Sequence, residues 1–204
     1  MLERLDEIDW ASLEHAYGSA HDVPELLRTL LAPNKEERDE AFYELFANIW
    51  HQSTVYEATP YAVPFLAELI LSTETPDKEG VAHLLAVISA GVGYYAVHAS
   101  DGDDAKKWAK ILESKSKNLT EELKIEEAVV EKVREACEPH LELLLPYLRN
   151  RDSEIRDSVA TAYSFYPSRR NEFLPEMRAA LSIEDDEERR LSIQESISAL
   201  ESDA

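Results

Sequence analysis

A single cysteine, Cys137, stands in 204 residues, so the chain cannot form an internal disulfide. That usage fits a reducing compartment, and a cytoplasmic location is expected. Glycine is scarce as well, at five residues. Few segments alternate with period two, so little sheet is expected. No Gly-rich phosphate loop, Gly-x-Ser-x-Gly elbow, Cys-x-x-Cys pair or His-Glu dipeptide occurs. The opening Met1-Leu2-Glu3-Arg4-Leu5-Asp6 lacks the basic and then apolar regions of a signal peptide. The longest mostly apolar run, Val81 to Val97, contains His83 and Ser89 and falls short of a membrane span, so no membrane association is expected. Basic residues are few as well. Lys and Arg total 21 against 42 Asp and Glu, a formal charge of −21. Such a surface repels nucleic-acid phosphates and anionic membranes and favours a basic partner. The same surplus also serves plain solubility.

What is present is helical patterning. In Leu143 to Leu181 the apolar Leu144, Leu145 and Leu148 lead into the polar turn Asn150-Arg151-Asp152-Ser153. A second stripe, Ile155, Val159, Ala162, Tyr163 and Tyr166, ends at Pro167, and a third holds Phe173, Leu174, Met177 and Leu181. Hairpins of this kind bury both faces only by stacking on neighbours. Upstream, the pattern predicts a short helix over Ile8 to Tyr17. It predicts a second over Val23 to Leu31, capped by Asp22, and a long one capped by Asn34 and running to Trp50. A polar loop is expected at His51 to Ala58. Helices follow over Thr59 to Leu71, kinked at Pro64, and from Thr75-Pro76 to about Tyr95 or His98. A charged insertion of about residues 100–118 carries Lys106, Lys107, Lys110, Lys115 and Lys117 beside Trp108. Leu119 to Arg149 is expected as one long helix bent at Pro139 or Pro146, its first part projecting from the body, and Cys137 as a buried thiol on the stripe Ile125, Val129, Val133. Asp185 to Leu200 is the last helix.

Two marks recur. A proline inside an apolar helix appears at Pro24, Pro64, Pro146 and Pro175. A Glu-x-Arg triplet opens the following helix at Glu36-Glu37-Arg38, Glu154-Ile155-Arg156 and Glu187-Glu188-Arg189. These marks resemble HEAT repeats over nearly the whole chain. Three stretches, Asp9 to Gly18, Ile49 to Thr59 and Tyr94 to His98, resemble a group of bacterial HEAT-repeat proteins. The resemblance implies an all-α, right-handed α-α superhelix of four to five hairpins, one domain over residues 1–204, and a bacterial origin. It brings no activity. The absence of His-Glu pairs argues against a di-iron hydroxylase of the deoxyhypusine type, and the charge against a HEAT-like DNA glycosylase.

In a solenoid, alternate helices run parallel and end on one rim. Helices ending at Tyr17, Trp50 and His98 would gather His15, Tyr17, His51, Tyr94, Tyr95 and His98 there, with Tyr56 and Glu57 from a loop. Tyrosines at helix ends also close a repeat core, and a histidine after a helix also caps carbonyls. Read functionally, the rim is a partner-binding strip on a non-catalytic scaffold for a basic protein, of immunity or adaptor type. The reading from another class is an enzyme of small-molecule or chromophore chemistry, of bilin-lyase type, with the rim as active site. No metal or cofactor is expected, and the oligomeric state is open.

Overall fold

A computed structural model of the chain describes residues 1–202. Ten α-helices carry those residues, with two hairpins of two-residue strands. The helices are α1 (Val23–Thr29), α2 (Lys35–Ile49), α3 (Thr59–Leu71), α4 (Lys78–Ser89), α5 (Tyr94–His98), α6 (Gly102–Ser114), α7 (Leu119–Cys137), α8 (Ser153–Ser164), α9 (Arg170–Ile183) and α10 (Glu187–Ser202). A 3-10 segment, Glu138–Arg149, follows α7 directly. Several helices start where an Asn or Asp side chain accepts the free amides of the first turn. Asn34 takes Glu36 N at 3.0 Å, Asp77 takes Gly80 N at 2.9 Å and Asp152 takes Glu154 N at 2.8 Å.

The helices stack in two layers. α1, α3, α7 with its 3-10 extension, and α9 form the first, and α2, α4, α8 and α10 the second. Each of the four recurring prolines lies in a different first-layer element: Pro24 in α1, Pro64 in α3, Pro146 in the 3-10 segment and Pro175 in α9. The Arg-bearing triplets open second-layer helices. The fold is an all-α stack of four helical hairpins with α5 and α6 inserted between the second and third. One connected core runs from Leu2 to Leu200, and Leu112, the buried residue of α6, stands apart from it. Tyr163 and Phe173 stack in that core with ring centres 3.9 Å apart, and Tyr163 Oη donates to Leu141 O at 3.1 Å.

Several expectations change. Ile8 to Tyr17 is not a helix but the 3-10 turns Glu3–Glu7 and Trp10–Ser12, followed by the hairpin of β1 (Glu14–His15) and β2 (Gly18–Ser19). Burying Trp10 selects this path, since its indole N–H donates to Leu5 O at 2.8 Å. Gly18 then turns the chain at φ 123°. The loop after α2 is a second hairpin, β3 (Trp50–His51) and β4 (Thr54–Val55). The helix expected from Thr75 to His98 stops at Ser89, because Val92 leaves it to bond this hairpin: Val55 N donates to Val92 O and Val92 N to Ser53 O. A Cβ on Gly91 would stand 2.3 Å from Val55 Cγ1, which requires glycine at the break. Asp101 begins helix α6, so the lysine insertion is helical.

Leu119 to Arg149 is one helical path. Glu138 keeps helical angles (φ −50°, ψ −44°) and its N–H bonds Arg134 O, so the chain does not reverse at Pro139. Lacking an N–H, Pro139 cannot extend the α-ladder, and the winding tightens to 3-10 there. α7 packs chiefly on α3 rather than on α4. Val133 and Cys137 are buried, whereas Ile125 is 54% exposed. Burial pushes the Cys137 thiol up to about 12, which makes it unreactive at neutral pH.

Candidate functional site

The rim is built from the two hairpins and α5, held together by backbone. Ala16 N donates to Asn48 O at 2.9 Å and Ala58 N to Glu14 O at 3.1 Å, which seats the first hairpin between the end of α2 and the start of α3. In the second hairpin Gln52 and Ser53 sit at φ 49° and 71°, the left-handed angles of a type I′ turn made without glycine. Thr54 locks it. Its hydroxyl donates to His51 O at 2.6 Å and meets Tyr56 Oη at 2.6 Å.

His15 points inward. Its Nδ1 accepts Tyr17 N at 3.0 Å, so the ring proton sits on Nε2 and is donated to Asp22 Oδ1 at 3.1 Å. The other Asp22 oxygen accepts Asn48 Nδ2 at 2.8 Å. Asp22 therefore joins the hairpin to α2 and does not cap α1. His15 is 7% exposed with both nitrogens committed, so it positions Tyr17 rather than meeting a partner.

The other seven candidates lie on the two hairpins, the loop after β4 and α5. Tyr17, 66% exposed, reaches His51 Nδ1 with its hydroxyl at 3.2 Å, and the rings meet edge to face at 5.4 Å. Tyr94 packs on His98 at 4.3 Å, and Tyr94 and Tyr95 both stand edge-on to Trp108 at 5.5 and 5.4 Å. The bridge between Thr54 and Val92 brings the second hairpin to the chain just before α5, and Tyr56 follows that hairpin. The Tyr56 pKa is raised first by burial and further by Tyr17 and Tyr94. Glu57 is exposed beside it.

Two features have weak sequence signals. Glu126 of α7 reaches back to accept Tyr95 N at 2.8 Å, taking the place of a cap for α5. A Cβ on Gly93 would meet Glu126 Oε2 at 2.7 Å, so the glycine admits that carboxylate. Burial outweighs the amide bonds and raises the Glu126 pKa. The second feature is a groove of about 820 Å³ between α2 and α4, lined by Arg38, Phe42, Phe46, Trp50, Val81 and His83 among others. The rings form a ladder: Phe42 to Phe46 at 5.7 Å, Phe46 to Trp50 at 5.0 Å and Phe46 to His83 at 5.8 Å. The i, i+4 spacing of Phe42, Phe46 and Trp50 was its available signal, but it equally fits a buried stripe. His83 meets Ser158 Oγ at 3.1 Å, and burial lowers its pKa.

Among the described residues no three His, Cys, Asp or Glu side chains are placed to hold a metal, and no helix is long and apolar enough to cross a membrane. No family profile matches the chain, and no curated protein matches it. Similar solved structures include an engineered protein, 20% identical over 90% of this chain and 81% of the other, with a TM-score of 0.37. Another is a designed armadillo repeat protein, 15% identical over 87% and 99% of the two chains, with a TM-score of 0.27. These similarities are too distant to add to the fold. The class, an all-α stack of helical hairpins, rests on the helices themselves.

Proposed function

We propose that the chain is a HEAT-type, non-catalytic scaffold of the bacterial cytoplasm that binds a basic protein through its hairpin rim, in the manner of an immunity or adaptor protein. The observation that carries this reading is the contact among the rim residues. Tyr17 meets His51 and Tyr94 meets His98, with Tyr56 and Glu57 on the intervening loop and Tyr95 beside Tyr94, in a chain whose formal charge is −21. Tyrosine supplies contact area at low entropic cost, and surplus carboxylates steer a cationic partner toward it. The polar groups of the rim suit holding better than reacting. His15 is locked between the Tyr17 amide and Asp22, and His51 Nδ1 meets the exposed Tyr17 hydroxyl, contacts that hold the rim in shape.

The test is affinity capture from a bacterial lysate with the wild type and with a Tyr17→Ala/Glu57→Ala/His98→Ala variant, in low salt and in roughly 0.5 M salt. A basic protein retained by the wild type, and lost both with the variant and in high salt, is the expected result. Equal capture by both proteins, or a partner held equally in high salt, overturns the reading.

A further inference from the structure

Two of the three recurring arginines have the same place once the helices are aligned by their caps. Arg38 lies four residues after the cap Asn34, and Arg156 lies four after the cap Asp152. Both send Nη1 back to the preceding turn. Arg156 bonds Asn150 O at 2.7 Å and Arg151 O at 3.1 Å, and Arg38 bonds Ala32 O at 2.6 Å and Pro33 O at 2.9 Å. These are the same carbonyls in the two repeats, six and five residues upstream.

The other side of the guanidinium differs. Arg156 gives Nε and Nη2 to Glu184 Oε2 at 2.9 and 2.7 Å, which clasps α8 to the end of α9 in the next hairpin. Glu184 is the residue that ends α9, in extended backbone (φ −77°, ψ 121°), and its other oxygen accepts Asp186 N at 3.0 Å. The residue that ends α3, the corresponding helix of the second hairpin, is Ser72. It has the same backbone (φ −69°, ψ 140°), and its hydroxyl accepts Glu74 N at 3.0 Å. A serine reproduces the local turn but cannot reach the arginine. Among the described residues Arg38 has no carboxylate partner, and its Nε and Nη2 carry no hydrogen bond. Lys35, the other groove cation, is already paired with Asp39. The gap that the clasp closes between hairpins three and four is thus open between hairpins one and two, and Arg38 lines it.

We propose that the groove between α2 and α4 binds a small aromatic or otherwise apolar carboxylic acid, whose carboxylate takes on Arg38 the place that Glu184 takes on Arg156. Nη1 is tethered, so the remaining edge of the fork is held ready for a carboxylate. The ladder of Phe42, Phe46 and Trp50 provides faces and edges for an apolar body, and about 820 Å³ lies within the range of small-molecule sites. The surrounding charge of −21 favours a single carboxylate over a polyanion such as a phosphate ester. Tyr17 and His51 of the rim also line this groove, but the carboxylate contact lies at Arg38 and is tested apart from the protein-binding reading.

The test uses 1-naphthylacetate and its neutral counterpart 1-naphthylmethanol, with binding followed by calorimetry and by quenching of tryptophan emission. The wild type is expected to prefer the acid about tenfold, the worth of one charge-assisted pair. Arg38→Met should abolish that preference. Because Arg38 also holds two carbonyls, Ser72→Glu is the companion variant: it supplies the missing clasp, keeps the tether and should lower affinity for the acid about tenfold while sparing the alcohol. Circular dichroism confirms that both variants fold. The proposal is overturned if naphthylacetate fails to bind at millimolar concentration, if the two probes bind equally, or if the preference survives both variants. A sedimentation dimer that Ser72→Glu dissociates would also overturn it, since the groove would then be filled by a second copy.

Discussion

The interface between α8 and α10 and the space between α2 and α4 lie in the same layer two steps apart, yet they solve different problems. Between α8 and α10 two ion pairs cross the hairpins. Arg156 meets Glu184 at 2.7 Å, and Arg189 meets Asp157 at 2.9 Å. Glu184 is almost fully enclosed, with its side chain 1% exposed. Between α2 and α4 no ion pair crosses, and aromatic rings face a groove instead. Between α8 and α10 the charge pairs accompany close packing, whereas α4 and α8 pack closely without one among the described residues. Where the acid is missing, the arginine and the aromatic ladder remain accessible. The difference teaches that the same arginine, held by the same two carbonyls, serves as a clasp where a glutamate ends the next helix and stays available where a serine does.

The largest expected effect sharpens that comparison. Arg156→Met strands the Glu184 carboxylate in the interior, a loss of about 3–5 kcal/mol in unfolding free energy. Arg38→Met removes two hydrogen bonds at a partly buried position and strands no buried charge, so about 1–2 kcal/mol is expected. Urea unfolding of both variants measures the contrast. Replacing both members of the closed clasp, Arg156→Met with Glu184→Leu, should recover most of the first loss, because no charge is then left unpaired. Equal losses for Arg38→Met and Arg156→Met would remove the distinction between the two interfaces.

A smaller effect belongs to the rim, on the open side. Gly93→Ala drives a methyl against Glu126 Oε2 and its Cβ, 2.7 and 2.8 Å away, and about 1–3 kcal/mol of overpacking is expected. The damage should be local. Amide exchange at Tyr95, whose N–H Glu126 accepts, should accelerate while α8 and α10 keep their protection. Faster exchange throughout would mean that the rim and the clasped hairpins unfold as a unit. Glu126 also gives a pH signature. Burial holds its folded pKa above the ordinary 4.5, so its contribution is fully present below that value and is lost as pH rises through the folded pKa. Glu126→Gln should flatten that part of the stability profile.

The two halves were not equally legible in the amino-acid sequence. The hairpin Leu145 to Leu181 announces itself through Pro146, Asp152 and the apolar stripes, since each helix there is long enough to show its period. The prolines report the first layer for the same reason. The N-terminal hairpins escape notice because two-residue strands are too short to alternate, and because Gln52-Ser53 lacks the Asn-Gly or Asp-Gly of a type I′ turn. Gly91 and Gly93, two apart, were the available sign that the helix after Thr75 ends early. The triplet is also misleading by one residue at its last occurrence. Arg190, not Arg189, follows the capping residue Asp186 by four, and Arg189 is the residue that reaches Asp157. The meeting of Tyr17 with His51 could be argued from helix parity, although the first element is a hairpin. The missing clasp could not, because Ser72 and Glu184 correspond only after the helix ends are placed in space.

The smallest effect lies where the open and closed regions meet. His83 of α4 faces the groove at Phe46 and bonds Ser158 of α8. Burial lowers its pKa below the ordinary 6.5, and Arg189 lowers it further, while Glu154 and Asp152 act in the opposite sense. A depressed histidine favours the fold when neutral. Its contribution is therefore fully present above 6.5 and is lost as pH falls through the folded pKa. His140, in the first layer, is lowered by burial alone and has the same sign. The two can be separated by substitution with glutamine, which keeps a hydrogen-bonding group without the charge. His83→Gln should flatten the decline in unfolding free energy between about pH 7 and pH 5, and a further flattening should come only from adding His140→Gln. If the neutral probe 1-naphthylmethanol fills the groove, the His83 share alone should shift to lower pH, because a filled groove removes more water from its ring. A His83→Gln profile parallel to the wild type would show that the groove wall leaves this ring hydrated, and that the boundary between the open and the clasped hairpins lies closer to α2.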